Sequence, residues 1–193
     1  MRRLVAGSVI ALFVPTALVA GSAAGGYPRT VVVGCAQSVY GQLASGWRSA
    51  AQGTVVAGPI AWPYVRAYSR SRKSLFAPTH GLAPAEKVLA VVDAGSSVRV
   101  TVPERERGRL SLDYTNRQPA GSGSRALYPV SSGASTVVFR PCPRSHWPGG
   151  RTQFAGGFVV NGAQCAEVDV RANRGPVLRR YIPFGVPDRG CGS

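Results

Sequence analysis

Lysine, glutamate and leucine are scarce in this chain, and acidic residues of both kinds number only 8 of 193. Scarcity of those helix formers takes away the usual material of long helices. Valine is plentiful instead, and 24 Gly with 15 Pro punctuate the chain, so short strands joined by turns are expected. There is no Gly-x-Ser-x-Gly motif, which excludes the nucleophile elbow of the α/β-hydrolases. The four cysteines include no Cys-x-x-Cys, and their spacings of 107, 23 and 26 residues do not suit a zinc site. Only two histidines are present, His80 and His146.

What is present in excess is arginine. There are 23 basic residues and a formal net charge of +15, and only Lys73 and Lys87 among the bases are lysine. A GC-rich coding bias accounts for part of this arginine. Whatever its origin, such charge draws a small domain to anionic surfaces at low salt. The length suits one domain, of a size that removes roughly 70% of its unfolded surface from water.

Residues 1–24 read as a secretory signal. Met1-Arg2-Arg3 is a positive start, residues 4–20 form an uncharged apolar run, and Ser22-Ala23-Ala24 supplies the small residues of a cleavage site after Ala24. A retained membrane anchor is the alternative. Against it stand the 17-residue length of the run and Pro15 within it. Val32-Val33-Gly34-Cys35 has the look of a lipobox, which would lipidate Cys35, but Tyr27, Pro28 and Arg29 separate it from the apolar run. Cleavage leaves residues 25–193 as a single domain of net charge +13, with 25–53 read as an irregular amino-terminal extension. The expected location is secreted or in the cell envelope.

Four cysteines in an exported chain imply two disulfides. Three pairings are open. The strand pattern brings Cys165 and Cys191 to the same end of a sheet, which favours Cys165 with Cys191 and Cys35 with Cys142; Cys142 with Cys165 is the alternative.

Strands are expected at 30–33, at 54–68 as an interrupted edge, and at 87–93, where a helix from Pro84 competes. Val98, Val100 and Val102 alternate with Arg99 and Thr101; Leu110, Leu112 and Tyr114 alternate after a charged turn, which predicts two half-buried strands. Further strands are expected near 127–130 and 136–140. Residues 154–160 and 164–170 flank Asn161-Gly162, the preferred pair for a two-residue hairpin turn. In the second of these, Ala166, Val168 and Val170 should face the core and Glu167 and Asp169 water. A final strand is expected at 177–184. Seven to nine short strands without a convincing helix predict an all-β, antiparallel β-sandwich, immunoglobulin-like or cupredoxin-like.

Three stretches carry a family likeness: residues 87–93, residues 98–103, and Gln153-Phe154-Ala155-Gly156-Gly157-Phe158 followed by Cys165 and Cys191. Over residues 55–191 the chain resembles an uncharacterised family of exported or membrane-anchored proteins of high-GC Gram-positive bacteria. The resemblance implies an envelope protein and brings no activity or catalytic residue with it.

Arg66, Arg70, Arg72 and Lys73, interleaved with Tyr64 and Tyr68, form the basic cluster that is the candidate anion-binding site; Arg179 and Arg180 form a smaller one. Forked guanidinium pairs suit phosphates, so the expected partner is an anionic envelope polymer or a membrane surface. Export argues against nucleic acid. His80 or His146 would serve a general base only beside an acid or hydroxyl, and no catalytic residue, metal or cofactor is assigned. Glu167 and Asp169 share a strand face that calcium could use, but calcium needs six or more oxygens. Residues 121–126 match a loose Gly-x-Gly-x-x-Ala pattern outside any strand–helix unit, so no dinucleotide site follows. Gly156-Gly157 within a strand marks a bulge or a close backbone approach, with Phe154 and Phe158 core residues beside it. The function expected from all this is a non-catalytic envelope module that binds or scaffolds.

Overall fold

The computed structural model describes residues 29–114, 126–144 and 146–191. The signal segment and residues 121–125 of the Gly-x-Gly-x-x-Ala pattern lie outside those residues. Valine-rich alternation builds the first of three sheets, in the order β1 (Thr30–Val33), β10 (Thr136–Phe139), β7 (Val98–Thr101), β13 (Gln164–Ala172), β14 (Val177–Phe184). Every pairing in it is antiparallel except β1 with β10. The second runs β2 (Ser38–Val39), β11 (Arg151–Phe154), β6 (Ala90–Asp93), β4 (Ile60–Trp62), β3 (Val55–Ala57), and the third β8 (Leu110–Asp113), β12 (Gly157–Val160), β5 (Ala83–Lys87), β9 (Leu127–Tyr128). Helical content among the described residues is 3-10 turns of six residues or fewer. The chain is all-β, as its composition predicts, and layered as a sandwich.

One core joins all three sheets. Val98, Val100, Val137, Val168 and Val170 come from the first; Trp62, Val92 and Phe154 from the second; Leu110, Leu112 and Phe158 from the third. Each such side chain contributes on the order of 1.5–3 kcal/mol by leaving water.

The second and third sheets share a spine. Residues 83–93 and 151–160 form one antiparallel ribbon in constant register: Asp93 faces Arg151, Ala90 faces Phe154, and Lys87 faces Gly157. The ribbon bends at Val88-Leu89 against Ala155-Gly156, held there by the Val88 N–H donating to the Gly156 carbonyl at 2.8 Å. Strands that change sheet at such a bend are how orthogonal sandwiches turn their corners. Two tyrosine hydroxyls brace the corner: Tyr68 donates to the Lys87 carbonyl (2.9 Å), and the buried Tyr114 to that of Val88 (3.0 Å). Burial pushes the Tyr114 phenol well above its ordinary pKa. The expected strand at 87–93 is therefore the far half of a longer, bent one, and the helix considered from Pro84 is strand β5.

Gly156 and Gly157 mark the close approach anticipated for them. A Cβ on Gly156 would come within 2.7 Å of Tyr114 Cγ; one on Gly157 would lie 2.8 Å from the Glu86 carbonyl carbon and 3.0 Å from the Val88 nitrogen. Phe154 and Phe158 are both in the core.

The charged turn after β7 and the expected hairpin at Asn161-Gly162 are both crossovers between sheets. β7 and β8 do not pair; the 3-10 turn Glu104–Glu106 carries the chain from the first sheet to the third. Likewise β12 belongs to the third sheet and β13 to the first. Gly162 has positive φ (85°) but Asn161 does not, so the two-residue hairpin turn is not made. Instead the Asn161 and Gly162 amides donate to the carbonyls of Arg109 and Phe76. The genuine hairpins are β13–β14, β3–β4 with Gly58 (φ 59°) and Pro59 at its tip, and a two-residue turn at His80 (φ 50°) and Gly81 (φ 76°).

Cys35 is bonded to Cys142 and Cys165 to Cys191, so no cysteine is free. The second bridge closes the end of the β13–β14 hairpin, as the strand pattern predicts. Two disulfides fit an oxidising, extracellular environment, and a Cys35 sulfur in a bridge has no thiol to carry a lipid. No helix among the described residues is long and apolar enough to cross a membrane.

Candidate anion-binding site

The basic run at 66–73 folds as two 3-10 turns, Val65–Arg70 and Lys73–Phe76. Its members fall into different environments. Arg70, Arg72 and Lys73 are exposed, whereas Arg66 is half-buried in an ion pair with Asp188. Tyr64 is exposed, but Tyr68 turns inward to pack at a tilt against Phe184 (5.6 Å between centroids). The smaller pair also separates. Alternation along β14 puts Arg179 and Arg180 on opposite faces: Arg179 reaches Glu167 (2.7 Å) and Asp169 (3.5 Å), and Arg180 donates to the Val56 carbonyl (2.8 Å).

Glu167 does not face water. Arg105, from the turn after β7, and Arg179 close over it and leave its side chain 6% exposed. The hydrogen bond to Glu167 raises the Arg105 pKa further above its ordinary value. A carboxylate bound by two guanidinia is engaged with cations already, which removes the calcium reading of Glu167 and Asp169.

The histidines stand apart. His80 is an exposed turn residue. His146 is exposed and set edge-on to Trp147, at 4.7 Å between centroids. One of its ring nitrogens lies within 4.8 Å of the sulfurs of Cys35 and Cys142; bonded to each other, these offer no thiolate to a metal.

A further convergence of cations lies on the outer face of the second sheet. Asp93 on β6 and Arg151 on β11 are register partners there, with Arg151 Nε 3.5 Å from Asp93 Oδ1. The 40–53 segment folds back across the same face, pinned by Trp47, which packs on Ala61 and Val91 and accepts at its carbonyl from the buried Thr54 hydroxyl. That return delivers Arg48: Nη1 donates to both Asp93 oxygens (2.8 and 3.0 Å) and Nη2 to the Gly58 carbonyl (2.8 Å). The 141–150 segment brings Arg144, whose stem lies on Gly150, where a Cβ would stand 2.9 Å from Arg144 Cγ. Together these residues line an open cavity of about 610 Å³. Three guanidinia and one carboxylate line it, an excess of two positive charges, with Arg48 and Arg151 paired to Asp93. The Arg151 guanidinium also sits 5.7 Å from the Trp47 ring centroid, within cation–π range.

No protein-family model, curated protein or solved structure matches this chain.

A second cavity, about 220 Å³, adjoins the first and shares Arg151 with it. Tyr40 and Trp147 form one wall, stacked at 5.2 Å and 20°. The Trp147 indole donates to Ser38 Oγ (3.3 Å), and Gln153 Nε2 donates to the Gly41 carbonyl (2.7 Å). The Cys35–Cys142 bridge ties the roots of both loops that build the two cavities. A third cavity, about 250 Å³, opens beside Ser111, and among the described residues Arg107 is the only ionisable group lining it. None of Arg48, Arg144 and Arg151 stands out in the sequence as a site residue. Trp47, one large side chain in a small polar stretch, is the sole local hint.

Proposed function

We propose that this chain is an exported, non-catalytic envelope module that binds anionic polymer, and that the cavity of Arg48, Arg144 and Arg151 holds the anionic groups. The observation that carries the reading is the three-to-one ratio of guanidinium to carboxylate around Asp93. Arg48 is engaged at fixed distances by Asp93 and the Gly58 carbonyl, so the site is organised before a ligand arrives. Guanidinium suits phosphate and carboxylate oxygens because it offers paired donors in a plane. The amino-terminal signal and the family likeness both support an envelope location. A second reading puts the contact at the exposed Arg70, Arg72 and Lys73, a solvated surface that would hold a membrane or polymer loosely.

The test measures retention of the oxidised protein on polyphosphate and on anionic phospholipid vesicles across a salt series. Retention should fall steeply with salt. Arg144→Ala with Arg151→Ala should weaken polyphosphate binding about tenfold or more, and Arg70→Ala, Arg72→Ala and Lys73→Ala together by twofold or less. The opposite ranking moves the site to the 66–73 turns. Absence of binding at low salt on every anionic surface rejects the function.

A further inference from the structure

The aromatic cavity beside the arginines points to the chemical class of the ligand. We infer that the two adjoining cavities form one continuous binding groove for an acidic glycan, with a sugar ring on the Tyr40–Trp147 wall and its anionic substituent at Arg151 and Arg144. The inference rests on the anion-binding reading above and names its ligand.

Three features of the groove carry it. Tyr40 is 58% exposed although it is stacked on Trp147. An aromatic pair held in the open, with its indole fixed by Ser38, is a shelf and not a fragment of core. The electron-rich face of such a ring attracts the weakly positive C–H edge of a neighbour, and the face of a pyranose presents several C–H bonds in one plane. The Tyr40 and Trp147 rings are already stacked on one another, so no planar base can slide between them. A ligand must lie along the outer face of the pair.

Polar groups line the same channel. Gln153 uses Nε2 on the Gly41 carbonyl, so an incoming hydroxyl meets its Oε1, an acceptor. Arg151 lines both cavities, with its guanidinium over Trp47 and its Nε towards Asp93. A ligand that follows the groove therefore passes from an aromatic face, past an amide, to an arginine cluster. Sugar rings, hydroxyls and an anionic group occur in that order in a polysaccharide bearing phosphate or carboxylate. Ligand sites of this kind combine apolar walls with a few placed polar groups. A purely inorganic polyanion would use the arginines and leave the aromatic wall and Gln153 idle.

The experiment uses the full oxidised protein and four probes: a phosphate-substituted polysaccharide, a uronate polysaccharide, polyphosphate without sugar, and a single-stranded oligonucleotide. Binding is followed by calorimetry and by tryptophan fluorescence, since Trp47 and Trp147 both line the groove. Tyr40→Ala is the first variant, because so exposed a side chain contributes little to the fold; Gln153→Ala is the second. Both should unfold at the wild-type temperature. The inference expects each to weaken the acidic polysaccharides about five- to tenfold while leaving polyphosphate within twofold, and expects the glycans to shift tryptophan emission more than polyphosphate does. The two polysaccharides together tell whether phosphate or carboxylate is the anion preferred. Equal losses on polyphosphate, or no loss on either glycan, overturn the glycan assignment and leave anion binding standing. Oligonucleotide bound more tightly than both glycans overturns it in favour of a nucleic-acid partner. No binding to any of the four removes this inference and the anion reading together.

Discussion

Gly157 is the position at which the bent ribbon can be broken by a single methyl group. Its Cβ would stand 2.8 Å from the Glu86 carbonyl carbon and 3.0 Å from the Val88 nitrogen, with the Glu86 carbonyl oxygen closer still. All three neighbours are backbone, so no side chain can rotate away. Relief requires β12 to part from β5 at the Lys87 and Glu86 pairs, where the sheet turns its corner. The φ of Gly157 is not positive, so the penalty of Gly157→Ala is overlap alone. Inserting one methylene into a packed site costs about 1–3 kcal/mol, and more where backbone must move; about 3 kcal/mol or above is expected here.

For a chain of this size each kcal/mol lowers the melting temperature by about 2–4 °C, so Gly157→Ala should melt roughly 6–12 °C below wild type. Gly162→Ala is the matched control. It has positive φ (85°) and nothing within 4 Å of its Cβ, so it should lose only the about 1–2 kcal/mol of left-handed backbone strain. Differential scanning calorimetry under non-reducing conditions gives both values. If Gly157→Ala melts within 2 °C of wild type, or less far below it than Gly162→Ala does, β12 is not packed on β5 and the shared ribbon is wrong.

The disulfides make a graded pair. Loop-closure entropy assigns about 4.8 kcal/mol to the 107-residue separation of Cys35–Cys142 and about 3.5 kcal/mol to the 26-residue separation of Cys165–Cys191. Urea midpoints of the two double Cys→Ser variants should follow that order, and only loss of the first bridge should also weaken polyanion binding; unchanged binding would show that the bridge does not hold the groove. Tyr114 is neutral and buried in the fold but ionises near pH 10 once unfolded. Its contribution is therefore fully present below about pH 10 and is lost above it, at about 1.4 kcal/mol per pH unit. Urea unfolding between pH 8 and 11 should show a shallower alkaline decline for Tyr114→Phe than for wild type, and parallel declines would refute burial of that phenol.

Strand positions were legible where burial on one face forces a period of two. Residues 30–33 and 177–184 coincide with β1 and β14, and Val98, Val100, Ala166, Val168 and Val170 point inward as their alternation requires. Sheet membership was not legible, because alternation reports that one face is covered without saying by what. β7 and β8 alternate equally well whether they pair with each other or lie in different sheets. Asn161-Gly162 has the local chemistry of a hairpin turn, yet the Arg109 and Phe76 carbonyls capture its amides, so tertiary contacts decide the path. Glu167 fails for a related reason: period two puts it on the outer face, and only the fold brings Arg105 and Arg179 over it.

The candidate site is the extreme case of the same limit. A run such as 66–73 is conspicuous because its charges are adjacent, but adjacent like charges on exposed turns repel one another and spread into solvent. Arg48, Arg144 and Arg151 can converge because a carboxylate is fixed among them, an indole carries one guanidinium and a glycine makes room for the stem of another. Each of those supports comes from a different part of the chain. Cys35–Cys142 ties the two loops together at their roots, and Trp47 fixes the first of them to the sheet. A site of concentrated positive charge needs such external constraint, since its own electrostatics would disperse it. Functional arginines in a chain this basic are therefore better sought where acids, aromatics and covalent bonds hold them together than where the sequence is richest in charge.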